Sequence, residues 1–231
     1  MLEIRNINKS YGNLPVLRDV SLTVGEREIV TILGPSGAGK TTLLQIAGTL
    51  DPADSGQVLY DGVNVTGLPD RRLSEFRNRN IGFIFQFHQL LAEFTARENV
   101  ALPAMIGGMA RNKALKRADE LLAMMGLADR SGHKPAELSG GERQRTAVAR
   151  ALVNTPRVIF ADEPTGSLDS RNRDEIQALF ARLRDELGQT FVIVTHDPTL
   201  ATVADRTVSM ADGRIVSIES ANASTDSPCL E

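Results

Sequence analysis

The chain has 231 residues, and its 26 Lys plus Arg against 29 Asp plus Glu give a formal net charge of −3. Apolar residues at 42% and charged residues at 24% are typical of a soluble globular protein. A charge this close to zero argues against a general nucleic-acid binder. The single cysteine, Cys229, excludes a disulfide framework and a cysteine-based metal cluster within one chain.

Membrane and export signals are not evident in the sequence. No stretch approaches the roughly 18 uninterrupted apolar residues of a membrane span. The opening residues, Met1 to Arg5, are not followed by the apolar segment of a signal peptide. We therefore expect a cytoplasmic protein.

The first third of the chain predicts strands and one helix. Period-two alternation and short apolar runs indicate strands at 2–7, 16–24 and 28–33, a helix at 41–50, and a hairpin at 57–65 around Asp61-Gly62. The run at 28–33 is short and mostly apolar, which is typical of a strand buried on both faces of a parallel sheet.

The rest of the chain alternates between helices and strands after a helical middle. The pattern is helical from about 95 to 136 and then predicts a helix at 142–153, a strand at 157–161, a helix at 171–187, a strand at 190–195, a short helix and a hairpin around Asp212-Gly213. Such alternation indicates an α/β fold with a parallel sheet. We expect one domain, 1–231, with a core of 1–94 and 137–218, a helical subdomain at about 95–136, and a loose tail at 219–231.

A glycine-rich segment between a strand and a helix predicts a phosphate-binding loop. Its residues match the G-x-x-x-x-G-K-[ST] pattern: Gly34, Pro35, Ser36, Gly37, Ala38, Gly39, Lys40 and Thr41. Glycines let successive N–H groups point at one anion, and the following helix adds its positive dipole end. Lys40 has the reach to contact phosphates and the Thr41 hydroxyl suits Mg²⁺. The alternative is a glycine-rich turn with a solvated lysine.

Two carboxylates, Asp162 and Glu163, directly follow an apolar run. Ligands of open α/β sheets collect at the carboxyl ends of strands. Asp162 is therefore a candidate Mg²⁺ ligand, and Glu163 a candidate general base for an attacking water. The alternative is a pair of loop or helix-capping acids.

A second glycine turn, Leu138-Ser139-Gly140-Gly141-Glu142, precedes a helix. It resembles the signature of ATP-binding-cassette (ABC) ATPases, and the resemblance runs from Tyr11 to the final hairpin. It implies the P-loop ABC ATPase fold, with a mostly parallel central sheet, an N-terminal antiparallel β portion and a helical subdomain insertion. It also implies an enzyme that hydrolyses ATP with Mg²⁺. Glu142 stands where many importers of the family carry Gln, which points towards an exporter-like subfamily.

The resemblance assigns roles to further residues. Tyr11 resembles the aromatic that stacks on adenine, Gln86 the glutamine that contacts Mg²⁺ and the attacking water, and His196 the histidine that contacts the γ-phosphate. The implied nucleotide contacts are Tyr11, residues 34–41, Thr42, Ser139, Gly140, Gly141 and Asp169, the last in a Ser167-Leu168-Asp169 turn. The implied metal ligands are Thr41, Gln86 and Asp162. The implied catalytic residues are Glu163, His196 and Gln86. Read alone, Tyr11 could be a core or surface packing residue, Gln86 could cap a buried strand, and His196 could be an ordinary packing residue.

The stretch from Phe83 to Val100 resembles the ATPases of bacterial lipoprotein-releasing systems. That branch implies a homodimer with ATP at its interface, integral-membrane permease subunits of the LolC/LolE kind, and a peripheral position on the cytoplasmic face of the inner membrane. The alternatives are related efflux ATPases (MacB type) and cell-division ATPases (FtsE type). A soluble ABC protein of DNA repair or translation, or a simple P-loop kinase, is a more distant competitor.

Five large apolar residues crowd one part of this stretch: Phe85, Phe87, Leu90, Leu91 and Phe94. Residues of this kind are rarely left bare without a partner. They predict either a docking surface for the membrane subunit or ordinary core. The basic run Arg71, Arg72, Arg77 and Arg79 is interpreted as a solvated helix face.

Overall fold

The computed structural model describes residues 1–221 and has an α/β fold. These residues form two compact units. The first unit contains Met1–Thr66 and the described residues from Ala181 onward, and the second contains Gly67–Phe180. Each unit carries its own set of predicted site residues.

An antiparallel sheet in the first unit contains β1 (Leu2–Tyr11), β2 (Leu14–Val24), β4 (Ser55–Tyr60) and β5 (Val63–Asn64), in the order β2-β1-β4-β5. The turn between β4 and β5 places Asp61 and Gly62 at φ 48° and 76°. Both values match the left-handed turn of a two-residue hairpin, as predicted from the Asp-Gly pair.

The same unit holds a largely parallel set of strands. β3 (Ile29–Leu33) pairs in parallel with β8 (Thr190–Thr195) and β9 (Arg206–Ala211), and β10 (Arg214–Ser220) pairs antiparallel with β9. The helix α1 (Lys40–Ala47) follows β3 after one short loop. All six residues of β8 are buried, as are four of the five of β3, which explains why both sequences are mostly apolar.

The second unit combines two parallel strands with helices. Its elements are α2 (Asp70–Asn80), β6 (Ile81–Phe85), α3 (Ala96–Ile106), α4 (Arg111–Met124), α5 (Gly140–Leu152) and β7 (Val158–Asp162), and α6 (Ser170–Leu187) begins here. β6 and β7 pair in parallel. Two helices begin with a capping box, Thr95 with Glu98 at α3 and Ser139 with Glu142 at α5.

Several boundaries differ from those predicted. α1 ends at Ala47 rather than Leu50, because Gly48 caps the helix and Thr49 is left-handed at φ 62°. β1 continues past Ile7 to Tyr11, and register shifts after Ile4 and Ile7 hide the period-two pattern there. β10 extends to Ser220, and residues 222–231 of the expected tail lie outside the described part of the chain. Within residues 1–221, no helix is long and apolar enough to cross a membrane.

Candidate functional site

The phosphate loop of the first unit joins the end of β3 to the start of α1. Gly37 and Gly39 lie at φ 82° and 93°, in the left-handed region that favours glycine. A Cβ on Gly39 would lie 2.8 Å from the Val16 oxygen, so a side chain there would also clash with neighbouring backbone. The loop therefore needs glycine for both conformation and space, and its N–H groups lie at a helix N-terminus suited to an anion.

The buried ammonium of Lys40 is held inside this loop. Its Nζ donates to the Gly34 oxygen at 2.8 Å and to the Pro35 oxygen at 3.0 Å. An ammonium has three N–H donors, so one remains for a ligand oxygen. The loop thus contains its own positive charge, already oriented by its own carbonyls.

Tyr11 lies at the end of β1 with 49% of its surface exposed. Its hydroxyl donates to Asp51 Oδ2 at 2.6 Å, and Lys9 Nζ lies 5.0 Å from the ring centroid and 3.1 Å from Asp51 Oδ1. The hydrogen bond to Asp51 raises the pKa of Tyr11, so the phenol is neutral. An exposed ring fixed at its hydroxyl suits stacking against a flat base.

His196 follows Thr195, the last residue of β8, and is exposed. Thr195 pairs with Leu33, the last residue of β3. The carboxyl ends of these parallel strands therefore lie side by side. The phosphate loop follows the end of β3, and His196 follows the end of β8. The first unit thus brings Tyr11, the phosphate loop and His196 into one compact body.

The second unit places Gln86 and Glu163 in the same way. Phe85 ends β6, Asp162 ends β7, and the two residues are paired in the parallel sheet. Gln86 directly follows β6 and Glu163 directly follows β7, so both residues lie at the same edge of the sheet. Glu163 has φ 48°. A non-glycine residue in that region costs about 1–3 kcal/mol and is found most often at functional positions.

The turn after Glu163 packs against Gln86. The Gly166 N–H donates to the Glu163 oxygen at 3.1 Å, and Ser167 Oγ donates to the Gln86 oxygen at 3.2 Å. A Cβ on Gly166 would lie 3.1 Å from Gln86 Nε2. Gln86, Asp162, Glu163 and Ser167 therefore lie close together within this unit.

Asp169 caps the start of α6. It accepts the Asn172 backbone N–H at 2.9 Å and the Asn172 side-chain N–H at 2.8 Å. These bonds lower the pKa of Asp169, so its carboxylate is ionised. Asp169 has a structural role in the single chain, whatever it contacts in an assembly.

The signature turn begins α5 through a capping box. Ser139 Oγ accepts from the Glu142 N–H at 3.2 Å, and Glu142 Oε2 accepts from the Ser139 N–H at 2.7 Å. Arg130 Nε donates to Glu142 Oε1 at 3.0 Å. These partners lower the pKa of Glu142, the Ser139 N–H most of all. The Ser-x-x-Glu spacing of Ser139 and Glu142 is the sequence signal for this cap.

The two glycines of the signature turn have different surroundings. A Cβ on Gly141 would lie 2.0 Å from Asn172 Oδ1, whereas on Gly140 the nearest atom, in Leu168, would be 3.7 Å away. A side chain on Gly141 would therefore force the Asn172 side chain, which is hydrogen-bonded to Asp169, to move. Gly140 is only partly buried and is the glycine with space beside it for a ligand.

Three of the five crowded apolar residues are exposed: Phe87 at 75%, Leu91 at 42% and Phe94 at 38%. Phe85 and Leu90 are half-buried.

The buried residue Asn99 was not predicted as part of the site. Its Oδ1 accepts from the Leu91 N–H at 2.7 Å, and its Nδ2 donates to the Leu91 and Phe94 oxygens at 3.1 Å. The exposed apolar loop, defined as residues 87–94, is thus fixed from below by one amide side chain.

Comparison with known proteins identifies the family. The ABC transporter family profile matches residues 17–166. The lipoprotein-releasing system ATP-binding protein LolD of Bacteroides thetaiotaomicron is 60% identical over 215 residues, which cover 93% of this chain and 99% of that protein. The protein of the same name from Bacteroides fragilis is 58% identical, covering 94% and 100%.

A solved structure has the same fold. A dimeric ATP-binding cassette in a post-hydrolysis state, bound to ADP and phosphate, superposes with a TM-score of 0.87 at 40% identity, covering 95% of this chain and 98% of that one. A second dimeric bacterial ABC transporter cassette gives the same TM-score at 41% identity. This chain belongs to the ABC transporter family and has the fold of its ATP-binding cassettes.

Proposed function

We propose that this chain is the ATP-hydrolysing subunit of a lipoprotein-releasing ABC transporter. It works as a homodimer with ATP at the interface, beneath integral-membrane permease subunits, on the cytoplasmic face of the inner membrane. The relatives named for this system, at 58–60% identity over nearly the full length of both chains, support the assignment. The dimeric cassettes of the same fold support the homodimer.

The single observation that carries ATP hydrolysis is the phosphate loop around Lys40. Left-handed glycines, a helix N-terminus and a buried ammonium with one donor to spare form an anion site for a polyphosphate. Tyr11, in the same unit, offers an exposed ring for the base. Together they favour a nucleoside triphosphate over a simple phosphate ester.

Glu163 is the proposed general base. Water attacks the γ-phosphorus, the bond from that phosphorus to the β–γ bridging oxygen breaks, and Glu163 accepts the proton that the water loses, giving ADP and phosphate. Gln86 orients the water through its side-chain amide, and His196 donates to the γ-phosphate. The placement of Gln86 and Glu163 at paired strand ends supports the first two roles, and that of His196 beside the end of β3 supports the third.

Thr41, Gln86 and Asp162 are the proposed Mg²⁺ ligands. They offer a hydroxyl, an amide carbonyl and a carboxylate, and such hard oxygen donors are the ones Mg²⁺ prefers. Asp162 ends β7 and Gln86 directly follows β6, so two of the three donors meet at one sheet edge. The ion, when bound, neutralises charge on the β- and γ-phosphates.

The signature turn is proposed to bind the nucleotide held by the other chain of the dimer. Its Glu142 N–H is already satisfied by Ser139, so the N–H groups of Gly140 and Gly141 are the donors left for an anion. The exposed apolar loop, with Phe87, Leu91 and Phe94 at its surface, is proposed as the contact for a permease subunit.

Reconstitution tests the whole proposal. The chain and its permease subunits are placed in proteoliposomes that carry a radiolabelled acylated lipoprotein, and ATP is added. We expect ATP-dependent release of the label and no release with Glu163→Gln. Hydrolysis that proceeds without releasing lipoprotein would contradict the transport assignment while leaving the ATPase assignment intact.

A further inference from the structure

Two consecutive residues of the apolar loop adopt a backbone conformation that side chains rarely tolerate. His88 and Gln89 lie at φ 60° and 48°, directly after the exposed Phe87. The His88 N–H donates to the Phe85 oxygen at 3.0 Å, and the Gln89 N–H donates to the Phe87 oxygen at 2.6 Å. Left-handed conformation is unfavourable for residues other than glycine, so other contacts must hold this turn.

The arginine Arg150 supplies those contacts from the helix that begins at the signature turn. Its Nη1 donates to the Gln89 oxygen at 2.6 Å, and its Nη2 donates to the His88 oxygen at 2.7 Å. Burial lowers the pKa of Arg150, but a guanidinium stays charged in proteins. Within residues 1–221 it pairs with no carboxylate, so the charge is directed at these two carbonyls alone.

The geometry of the two groups is matched. A guanidinium presents parallel donors in a rigid fork, and the left-handed pair His88–Gln89 turns two successive carbonyls towards it. The His88 ring is itself buried, with Nε2 lacking a hydrogen-bond partner, and burial together with the charges of Arg143 and Arg150 lowers its pKa. The lowered pKa favours the neutral ring, which adds no charge to compete with Arg150.

Arg150 and Asn99 fix the apolar loop at two places. The fork holds its start at His88 and Gln89, and Asn99 holds its second half at Leu91 and Phe94. The exposed side chains of Phe87, Leu91 and Phe94 therefore lie on, or next to, backbone that these two residues hold. The two hydrogen bonds of Arg150 connect this surface to α5, the helix of the signature turn.

We propose that Arg150 is a positioning residue, which holds the apolar loop in the shape that a permease subunit recognises and links that loop to the signature helix. A force applied at Phe87 or Leu91 by the permease is then carried through two hydrogen bonds to α5. The proposal rests on the function proposed above and adds the residue through which the loop and the signature turn communicate.

Hydrogen exchange on the isolated chain tests the fork directly. Arg150→Lys keeps the charge but replaces two fixed donors by one flexible ammonium. We expect the His88 and Gln89 amides to exchange about tenfold faster, the factor expected for losing one charge-assisted hydrogen bond. Arg117→Lys, on α4 where Arg117 pairs with Glu120, is the control and should change neither amide. Unchanged exchange in Arg150→Lys would overturn the proposal.

Binding to the permease subunits in lipid nanodiscs tests the positioning role. We expect Arg150→Lys to weaken binding about tenfold, in step with the exchange result. Adding Gln89→Gly should restore most of the affinity, because glycine adopts a positive φ without the steric cost. Faster exchange with undiminished affinity, or a loss that Gln89→Gly does not restore, would show that the fork merely stabilises the unit.

If Arg150→Lys strongly lowers the midpoint of thermal unfolding, a second variant replaces it in the binding measurement. Gln89→Pro breaks the turn from the exposed side, because proline fixes φ near −65°, and it should cause the same loss of binding. If the unaltered chain fails to bind the permease subunits, the proposed function and the docking role fall together. The exchange measurement then still decides whether the fork holds the turn.

Discussion

The phosphate loop and the signature turn are both glycine-rich helix starts, yet they are built differently. The phosphate loop has left-handed glycines and encloses the Lys40 ammonium. The signature turn has glycines within the first turn of α5, and its cap is closed by Ser139 and Glu142. The first has all the groups of the proposed phosphate site within one chain. The second contributes only a few N–H groups, which is what half of a shared site would offer.

The largest expected effect is on ATP turnover, and it should leave nucleotide binding unchanged. Glu163→Gln should lower ATP turnover by about 10²–10⁴-fold, because the amide cannot accept the water's proton. Nucleotide affinity should persist, and the variant should accumulate as an ATP-bound dimer on size-exclusion chromatography. Glu186→Gln, an exposed glutamate on α6, is the control. Near-normal turnover in Glu163→Gln would show that Glu163 is not the general base.

A matched pair of glycine substitutions tests the phosphate loop. Gly37→Ala meets only the conformational cost, about 1–2 kcal/mol, since no atom lies within 4 Å of its added Cβ. Gly39→Ala meets that cost and the close approach of Val16. We expect roughly tenfold weaker nucleotide binding for Gly37→Ala and a larger loss for Gly39→Ala by calorimetry. Equal losses would show that space at Gly39 is unimportant.

A substitution in the signature turn should leave nucleotide binding by the single chain intact and weaken dimerisation instead. Gly140→Asp places a carboxylate where a phosphate would bind, in a position with room for the side chain. Nucleotide binding by the single chain should be unchanged, while ATP-driven dimerisation weakens by about 2 kcal/mol or more from like-charge repulsion. Gly141→Asp is the poorer test, because Asn172 already occupies its space. Loss of single-chain binding in Gly140→Asp would mean that the turn acts within its own chain.

The apolar loop gives a smaller effect in the isolated chain. Leu91→Ala with Phe94→Ala removes partly exposed side chains, so the free energy of unfolding should change little. Binding to the permease should weaken by about 1–4 kcal/mol. Leu121→Ala, a fully buried control, should instead lower unfolding free energy by about 2–5 kcal/mol. A drop of the Leu121 size in the double variant would assign the loop to the core.

The smallest effect concerns pH. Because the pKa of Glu142 is lowered in the folded chain, its cap stabilises the fold above the ordinary glutamate pKa of about 4.3 and loses that contribution as pH falls through the lowered value. Glu142→Gln keeps the capping-box geometry without the charge. The unaltered chain should therefore be more stable than Glu142→Gln by a constant amount above about pH 4.3 and should lose that advantage below it, so that the two curves of stability against pH converge in acid. Parallel curves would contradict this.

The sequence predicted what depends on local pattern. The predicted strands and helices, the Asp-Gly hairpins and the phosphate loop each have short signals, and they appear within a few residues of the predicted bounds. The roles assigned to the site residues remain predictions. Contacts between distant segments were not predictable, because no pattern in the sequence links them. Asn172 against Gly141 and Arg150 against His88, 62 residues apart, are of this kind.

Mixing two defective chains tests most directly whether the signature turn completes a nucleotide site on another chain. Gly39→Ala loses its own phosphate loop, and Gly140→Asp loses its own signature turn, both in a Glu163→Gln background that stops hydrolysis. Neither should dimerise alone with ATP. Mixed, they should form a dimer with one bound nucleotide, because the intact loop of one meets the intact turn of the other. A mixture that stays monomeric with ATP would contradict the claim.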